Sequence, residues 1–119
     1  MSTTKAQQRS SFALQELRSL AANREKFKPF IAGLPSMILQ NGLGQTLAFL
    51  QSKGKEEHKA AFSIMVKWLH KEKILTNCGP LQAVEEISKL SQQHYLLAQE
   101  EGLKLLEWVK RYANSDLFA

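Results

Sequence analysis

Residue types that form disulfides, turns and strands are scarce in this sequence. The 119 residues include one cysteine, three prolines and six glycines, and β-branched residues are also few. The single thiol, Cys78, cannot form an internal disulfide, and without partner cysteines it cannot build a zinc site. Ala, Leu, Gln, Glu and Lys dominate the chain, and these residues favour helices. We therefore predict an all-α fold, a single compact bundle of five to six helices formed by one domain over residues 1–119.

Long hydrophobic runs are also missing. No stretch of about 18 apolar residues occurs, and the N-terminus, MSTTKAQQRSS, lacks the apolar core of a signal peptide. We therefore expect a cytoplasmic protein without a membrane partner. Residues 1–73 carry twelve basic and five acidic side chains, a net charge of +7, whereas residues 74–119 carry four and six, a net charge of −2. This asymmetry favours a polyanionic partner, although solubility alone is an alternative explanation.

Proline, glycine and capping residues divide the chain into candidate helices. Pro29 is expected to end the first helix, and Pro35 to open the second, since proline is tolerated at the first helical position. Gly42 and Gly54 each have the character of a helix C-terminus, and Ser91 is a candidate N-cap for the last helix. The predicted helices span about residues 4–27, 34–40, 45–52, 56–75, 80–90 and 92–114.

The predicted helix at 56–75 has an apolar arc and a basic arc. Lys67 and Lys71 are like charges one turn apart without an acidic neighbour on that face of their helix. An uncompensated face of this kind is what a phosphate-binding surface presents, and a merely solvated lysine face is the alternative. The apolar arc contains Ala61, Phe62, Ile64, Met65, Val66, Trp68 and Leu69, and the basic arc contains Lys59, Lys67, His70 and Lys71.

The basic residues of the last predicted helix have acidic partners on their own helix. Glu100 precedes Lys104, and Glu107 precedes Arg111, at the favourable i,i+4 spacing. Each such pair stabilises a helix by about 0.2–0.5 kcal/mol, so a self-neutralised, solvated face explains these residues. The apolar face of this helix is predicted to contain Tyr95, Leu97, Ala98, Leu105, Leu106, Trp108, Val109 and Tyr112.

The glycines of NGLGQT, residues 41–46, raise the question of a phosphate-binding loop. A P-loop needs G-x-x-x-x-G-K-[ST] between a strand and a helix, but here Gly54-Lys55 is followed by Glu56 and no strand is predicted before it. The three histidines lack metal-ligand spacing, Asp116 is the sole aspartate, and no G-x-S-x-G motif occurs. We therefore predict neither catalysis nor a cofactor or metal site.

Two features are reminiscent of nucleic-acid-binding proteins. The segment PSMILQNGLGQTLAFLQSK has the order helix, glycine turn, helix, but its second helix presents Leu47, Phe49 and Leu50, which are more typical of a core helix than of a DNA recognition helix. Trp68 and Trp108 are candidate base-stacking platforms. Both lie on the apolar arcs of their helices, so core packing is favoured for each.

The segments LPSMILQNGLGQTLAFLQSKGKEEHKA and YLLAQEEGLKLLEWVKRYA together resemble the small subunit of the type III-B CRISPR RNA-guided effector, the Cmr complex. The shared pattern is a Leu-Pro helix, a Gly-Leu turn, an LAF helix ending in Lys-Gly-Lys, and a terminal Trp-Leu-Lys-Arg-Phe-Ala-like motif, from which Val109 and Tyr112 depart conservatively. The likeness covers most of residues 5–113 and is weakest over 76–92. It implies an all-α, non-catalytic subunit whose copies stack as a minor filament beside the backbone subunits and help to hold CRISPR RNA and target RNA.

The resemblance also implies candidate RNA contacts. It places Lys53 and Lys55 at the basic end of the LAF helix, and Lys110 and Arg111 in the terminal motif. The helical wheel adds three lysines, and two basic residues near the N-terminus complete the set: Lys59, Lys67, Lys71, Lys5 and Arg9. The expected function is binding of RNA backbone without sequence preference, with contacts to neighbouring subunits. The alternatives are a helical protein–protein spacer without RNA contact and a helix-turn-helix DNA-binding regulator.

Overall fold

A computed structural model describes residues 2–118, which form α-helices and one short 3-10 turn without any β-strand. The prediction of an all-α fold is confirmed. No helix within this range has the length and apolar content that crossing a membrane requires. The elements are α1 (Lys5–Arg18), α2 (Arg24–Lys53), α3 (Glu56–Lys71), α4 (Pro80–Lys89), α5 (Gln92–Ala113) and the 3-10 turn at Asp116–Phe118.

Helix α5 is the central element of the bundle. It packs against α1, α2 and α3, and α2 packs in addition against α3 and α4. The apolar arc predicted for 56–75 is confirmed, because each of its side chains is buried. Burying a large aliphatic or aromatic side chain stabilises a fold by about 1.5–3 kcal/mol. The prediction for α5 is wrong at Leu97, which is 48% exposed.

The first two helices divide at a different place from the one predicted. Helix α1 ends at Arg18, and α2 begins after Asn23, whose side chain accepts a hydrogen bond from the N–H of Lys26. Pro29 and Pro35 therefore lie inside α2 instead of marking its boundaries. Each interior proline costs about 3 kcal/mol, but the same helix buries four large side chains at about 1.5–3 kcal/mol each, namely Phe27, Ile31, Leu34 and Ile38.

Helix α3 ends at Lys71, before the predicted boundary at residue 75. Lys73 adopts a left-handed conformation with φ 61°, and the N–H of Leu75 donates to the carbonyl of Leu69 at 3.2 Å. The chain thus folds back over the last turn, and this reversal brings Leu75 into the core at 1% exposure.

Gly42 interrupts α2 with φ 84° and ψ 162°, which confirms the break predicted at this residue. The N–H of Leu43 donates to Oε1 of Gln99 at 2.9 Å, and the N–H of Gly44 donates to the hydroxyl of Tyr95 at 2.8 Å. The hydroxyl of Thr46 donates to the carbonyl of Gly42 at 2.8 Å. The amide groups that a phosphate loop would turn towards its ligand are therefore bonded to α5.

We predict that Gly42→Ala lowers the free energy of unfolding by about 1–3 kcal/mol, the usual cost of this backbone region for a residue other than glycine. A Cβ at residue 42 would also lie only 3.0 Å from the hydroxyl oxygen of Tyr95. Gly33→Ala, on the same helix, is the matched control. Nothing lies within 4 Å of its added Cβ, so stability should rise by about 0.5–1 kcal/mol. Urea unfolding of both variants measures the difference, and equal effects would contradict this account.

Candidate nucleic-acid interface

Three lysines cluster where α2 turns into α3. Lys53 is the last residue of α2, Gly54 reverses the chain with φ 70°, and Lys55 is the N-cap of α3. Lys59 follows one turn into α3, and all three lysines are exposed. We call Lys53, Lys55 and Lys59 the basic corner. None of them forms an ion pair with any carboxylate in residues 2–118.

An aromatic layer lies beneath the basic corner. The His58 ring lies between those of Phe30 and Phe49, at centroid distances of 4.2 and 5.5 Å, and the Lys53 ammonium lies 5.5 Å from the Phe49 centroid. Burial lowers the pKa of His58 below its ordinary value of 6.5, and the nearby ammonium groups of Lys55 and Lys53 add to this effect against Glu57. His58 is therefore neutral at pH 7, and the positive charge of the corner comes from lysine alone.

The face of α3 that carries Lys67 and Lys71 was expected to be uncompensated, and this is wrong for Lys67. Its Nζ lies 3.2 Å from Oε1 of Glu16, which belongs to α1. A helical wheel considers only one helix and so misses a partner from another. The ammonium of Lys71 lies over the rings of Phe12 and Trp68, 5.7 and 5.9 Å from their centroids. Lys71 thus has aromatic neighbours but no carboxylate partner within the described part of the chain.

The groove between α1 and α3 has mixed charge. Lys59 and Lys67 line it together with the carboxylates of Glu16 and Glu56. A phosphate entering this groove would meet repulsion as well as attraction. Lys59 is the member of the basic corner that lines this groove, whereas Lys53 and Lys55 lie outside its lining and are better placed for a polyanion.

Arg9 lies in an internal network instead of on the surface. Its Nε and Nη2 donate to the two carboxylate oxygens of Glu101 at 2.6 and 3.0 Å, and its side chain is 12% exposed. The indole N–H of Trp68 donates to the same carboxylate at 2.9 Å. Lys5, one turn before Arg9, pairs with Glu72. The two basic residues predicted near the N-terminus therefore both have carboxylate partners.

Sequence reasoning missed Glu101, which is 9% exposed. The available signal was its position, since it stands three residues after Ala98 and four before Leu105 on the buried arc of α5. The hydrogen bond from Arg9 holds the pKa of Glu101 below its ordinary value of 4.5; burial opposes this shift, and the bond from Trp68 supports it. The ionised carboxylate consequently joins α1 and α3 to α5.

Lys110 and Arg111 occupy a different part of the surface. They are exposed on α5 and line a groove against α2 with Ala32, Glu107 and Asn114. The predicted pair Glu100–Lys104 is present at 3.0 Å, whereas Glu107 and Arg111 form no ion pair in the structure of residues 2–118. The structure therefore groups Lys53, Lys55 and Lys59, and it leaves Lys110 and Arg111 on a surface of their own.

The fold and the charge distribution define a small, all-helical protein with a concentrated basic surface. The chain matches the family model described as CRISPR-associated protein (Cas_Cmr5) over residues 5–116 and belongs to that family, the small subunits of type III-B Cmr complexes. The resemblance seen in the sequence is therefore confirmed.

Individual relatives agree with the family assignment. The chain is 29% identical over 114 residues to the CRISPR system Cmr subunit Cmr5 of Thermus thermophilus, covering 94% of this chain and 95% of the relative. It is 33% identical over 105 residues to that of Thermotoga maritima, covering 81% and 78%. The X-ray structure of a CRISPR-associated Cmr5 family protein from Thermus thermophilus aligns with a TM-score of 0.76 at 27% identity, over 93% of this chain and 96% of that one.

We predict that Glu101→Gln lowers the free energy of unfolding at pH 7 by about 1.5–3 kcal/mol, the value of a hydrogen bond to a charged group. Because the pKa of Glu101 is depressed in the folded state, its stabilising contribution is complete above the unfolded pKa and is lost as the pH falls through the folded pKa. The difference between the native protein and the variant should therefore shrink below about pH 4.5. Urea unfolding at a series of pH values measures it.

Glu100→Gln is the matched control for this experiment. Glu100 neighbours Glu101 but pairs with Lys104 on the surface, where its side chain is 64% exposed. Its loss should change stability by no more than about 1 kcal/mol. A Glu101→Gln effect as small as that of the control would show that the buried network does not stabilise the fold.

Proposed function

We propose that this chain is a non-catalytic subunit that binds RNA backbone within a cytoplasmic Cmr complex, without sequence preference. The observation that carries the proposal is the basic corner. Lys53, Lys55 and Lys59 are exposed, and none has a carboxylate partner in the described structure. Their ammonium groups can therefore contact phosphates without breaking an ion pair.

The proposed mechanism is electrostatic. Each ammonium that neutralises a phosphate releases condensed counterions, so affinity falls as the salt concentration rises, with a slope of about −0.7 per phosphate for a single strand. Lysine is a point charge on a flexible stem and has no planar fork for reading a base edge. A surface of lysines therefore positions an RNA strand but does not select its sequence.

The other basic residues predicted to contact RNA fall into three groups. Lys71, Lys110 and Arg111 have no carboxylate partner in residues 2–118 and are proposed as further phosphate contacts. Lys67 and Lys5 would first have to leave Glu16 and Glu72. Both ammonium groups are exposed, but the carboxylates of Glu16 and Glu72 are only 14% and 15% exposed, so breaking these pairs costs more than breaking a fully exposed pair, which is worth about 0–1 kcal/mol. Arg9 is not included, because moving it would leave the buried carboxylate of Glu101 without its cation.

The proposed RNA partners are the CRISPR RNA and the target RNA. The proposed protein partners are other Cmr subunits, including the backbone subunit, and further copies of this chain in a filament. Exposed apolar side chains support protein contacts, since four leucines of the helices are between 48% and 69% exposed: Leu39, Leu81, Leu96 and Leu97. The same observation favours the second candidate function, a spacer that touches proteins without touching RNA.

We predict that replacing the three corner lysines with glutamine weakens RNA binding by the assembled complex. The plot of log affinity against log salt concentration should also become less steep by about 2, which corresponds to three lost phosphate contacts. Binding of labelled RNA to the complex across a salt series measures both quantities. Unchanged affinity together with an unchanged slope would contradict the proposal.

A second triple variant controls for net charge. Lys73, Lys89 and Lys104 are exposed lysines outside the corner, and their replacement by glutamine removes the same charge. This variant should alter the slope far less than the corner variant does. The spacer function predicts a different pattern, in which the corner variant enters the complex poorly but each assembled complex retains the native affinity for RNA.

A further inference from the structure

The two tryptophans of this protein have different environments. Trp68 is fully buried, and its N–H donates to Glu101. Trp108 also packs against the core, but it is only partly buried. The indole N–H of Trp108 makes no hydrogen bond within residues 2–118. It is also not among the buried polar atoms without a partner, since the one such side-chain atom in this range belongs to His58. The N–H of Trp108 is therefore accessible to solvent. The core packing predicted from the sequence thus holds in full for Trp68 and in part for Trp108.

Trp108 stands between two kinds of surface. On one side is a groove between α1 and α5, which we call the α1–α5 groove. Gln7, Ser11, Leu14 and Tyr112 line it with Trp108, and none of its lining residues is charged. On the other side Trp108 shares a depression with Glu107 and Arg111, which continues to Lys110. The indole therefore separates uncharged polar groups from two cations.

The aromatic surface is held in place before any ligand binds. The hydroxyl groups of Tyr112 and Ser10 are hydrogen bonded at 2.7 Å, which fixes the Tyr112 ring against α1. The ring of Trp108 lies 5.8 Å from that of Tyr112, with an angle of 35° between the planes. A rigid aromatic platform loses little conformational entropy when a second ring stacks on it.

We infer that Trp108 is a stacking platform for an RNA base. This inference rests on the proposed function, because it assumes that an RNA strand reaches the subunit. The base enters the α1–α5 groove, where the amide N–H groups of Gln7 and the hydroxyl of Ser11 offer uncharged hydrogen-bonding partners, while Oε1 of Gln7 accepts from the N–H of Thr4. The neighbouring phosphates contact Lys110 and Arg111. Aromatic rings beside a basic track are how proteins bind single strands without sequence preference, since every base has a π face.

The charges favour a base over an apolar side chain of a protein partner. Lys110 and Arg111 are exposed and have no carboxylate partner in the described residues, while Glu107 is the single acidic group lining the two depressions beside them. A strand of RNA supplies an aromatic ring and phosphates together. An apolar peptide would leave both cations without a counter-charge.

Trp108→Leu tests the inference in the assembled complex, because leucine keeps the apolar contact with the core and removes the ring. RNA affinity should fall about tenfold, within the range expected for one stacked base, while the salt slope stays unchanged because no phosphate contact is lost. Trp108→Phe should retain most of the affinity. The corner variant, in contrast, should lower the slope. If the Trp108→Leu complex bound RNA with native affinity while the corner variant had a less steep salt dependence, the stacking role would be overturned and the proposed function would stand.

Photo-crosslinking of the native complex provides a test that needs no folded variant. Guide and target RNAs carrying 4-thiouridine, used in separate preparations, should crosslink to the peptide that contains Trp108 and Tyr112. The absence of this crosslink with both RNAs would overturn the inference. So would a Trp108→Leu subunit that enters the complex poorly while the assembled complex binds RNA normally, since that result would assign the surface to a protein neighbour.

Discussion

The arrangement of the helices depends on the hydrogen-bonded ion pair between Glu101 and Arg9. The carboxylate of Glu101 is nearly buried on α5, accepts two hydrogen bonds from Arg9 of α1 and accepts a third from Trp68 of α3. A buried charge with its partners in place is tolerated, whereas the loss of one partner leaves an uncompensated ion. The ion pair therefore links α1 to α5 and α3, together with the buried apolar residues of α1, Phe12, Ala13 and Leu17.

Ion pairing also decides which basic residues remain for a ligand. Acidic side chains engage Arg9, Lys5 and Lys67, all of which belong to the N-terminal region with the large positive excess. Three of the lysines without such partners lie together at the basic corner, where the turn at Gly54 brings the end of α2 next to the start of α3. These exposed ammonium groups, unpaired within residues 2–118, can attract a polyanion.

Local chemistry made part of this structure predictable from sequence. The apolar arc of α3, the glycine at the kink of α2 and the cap at Ser91 depend on residues within one or two turns. The prolines of α2 were misjudged because their local cost is outweighed by burial against other helices. Arg9 and Lys67 were misjudged for a similar reason, since their partners stand 92 and 51 residues away in the sequence. The one sequence signal for the partner of Arg9 was the acidic residue Glu101 on the apolar arc of the last helix.

The most direct measurement of the central claim is a structure of the assembled Cmr complex with its guide and target RNAs. The account predicts phosphate oxygens within hydrogen-bonding reach of the ammonium groups of Lys53, Lys55 and Lys59. A complex in which these ammonium groups meet carboxylates of a neighbouring subunit, with the RNA elsewhere, would contradict it.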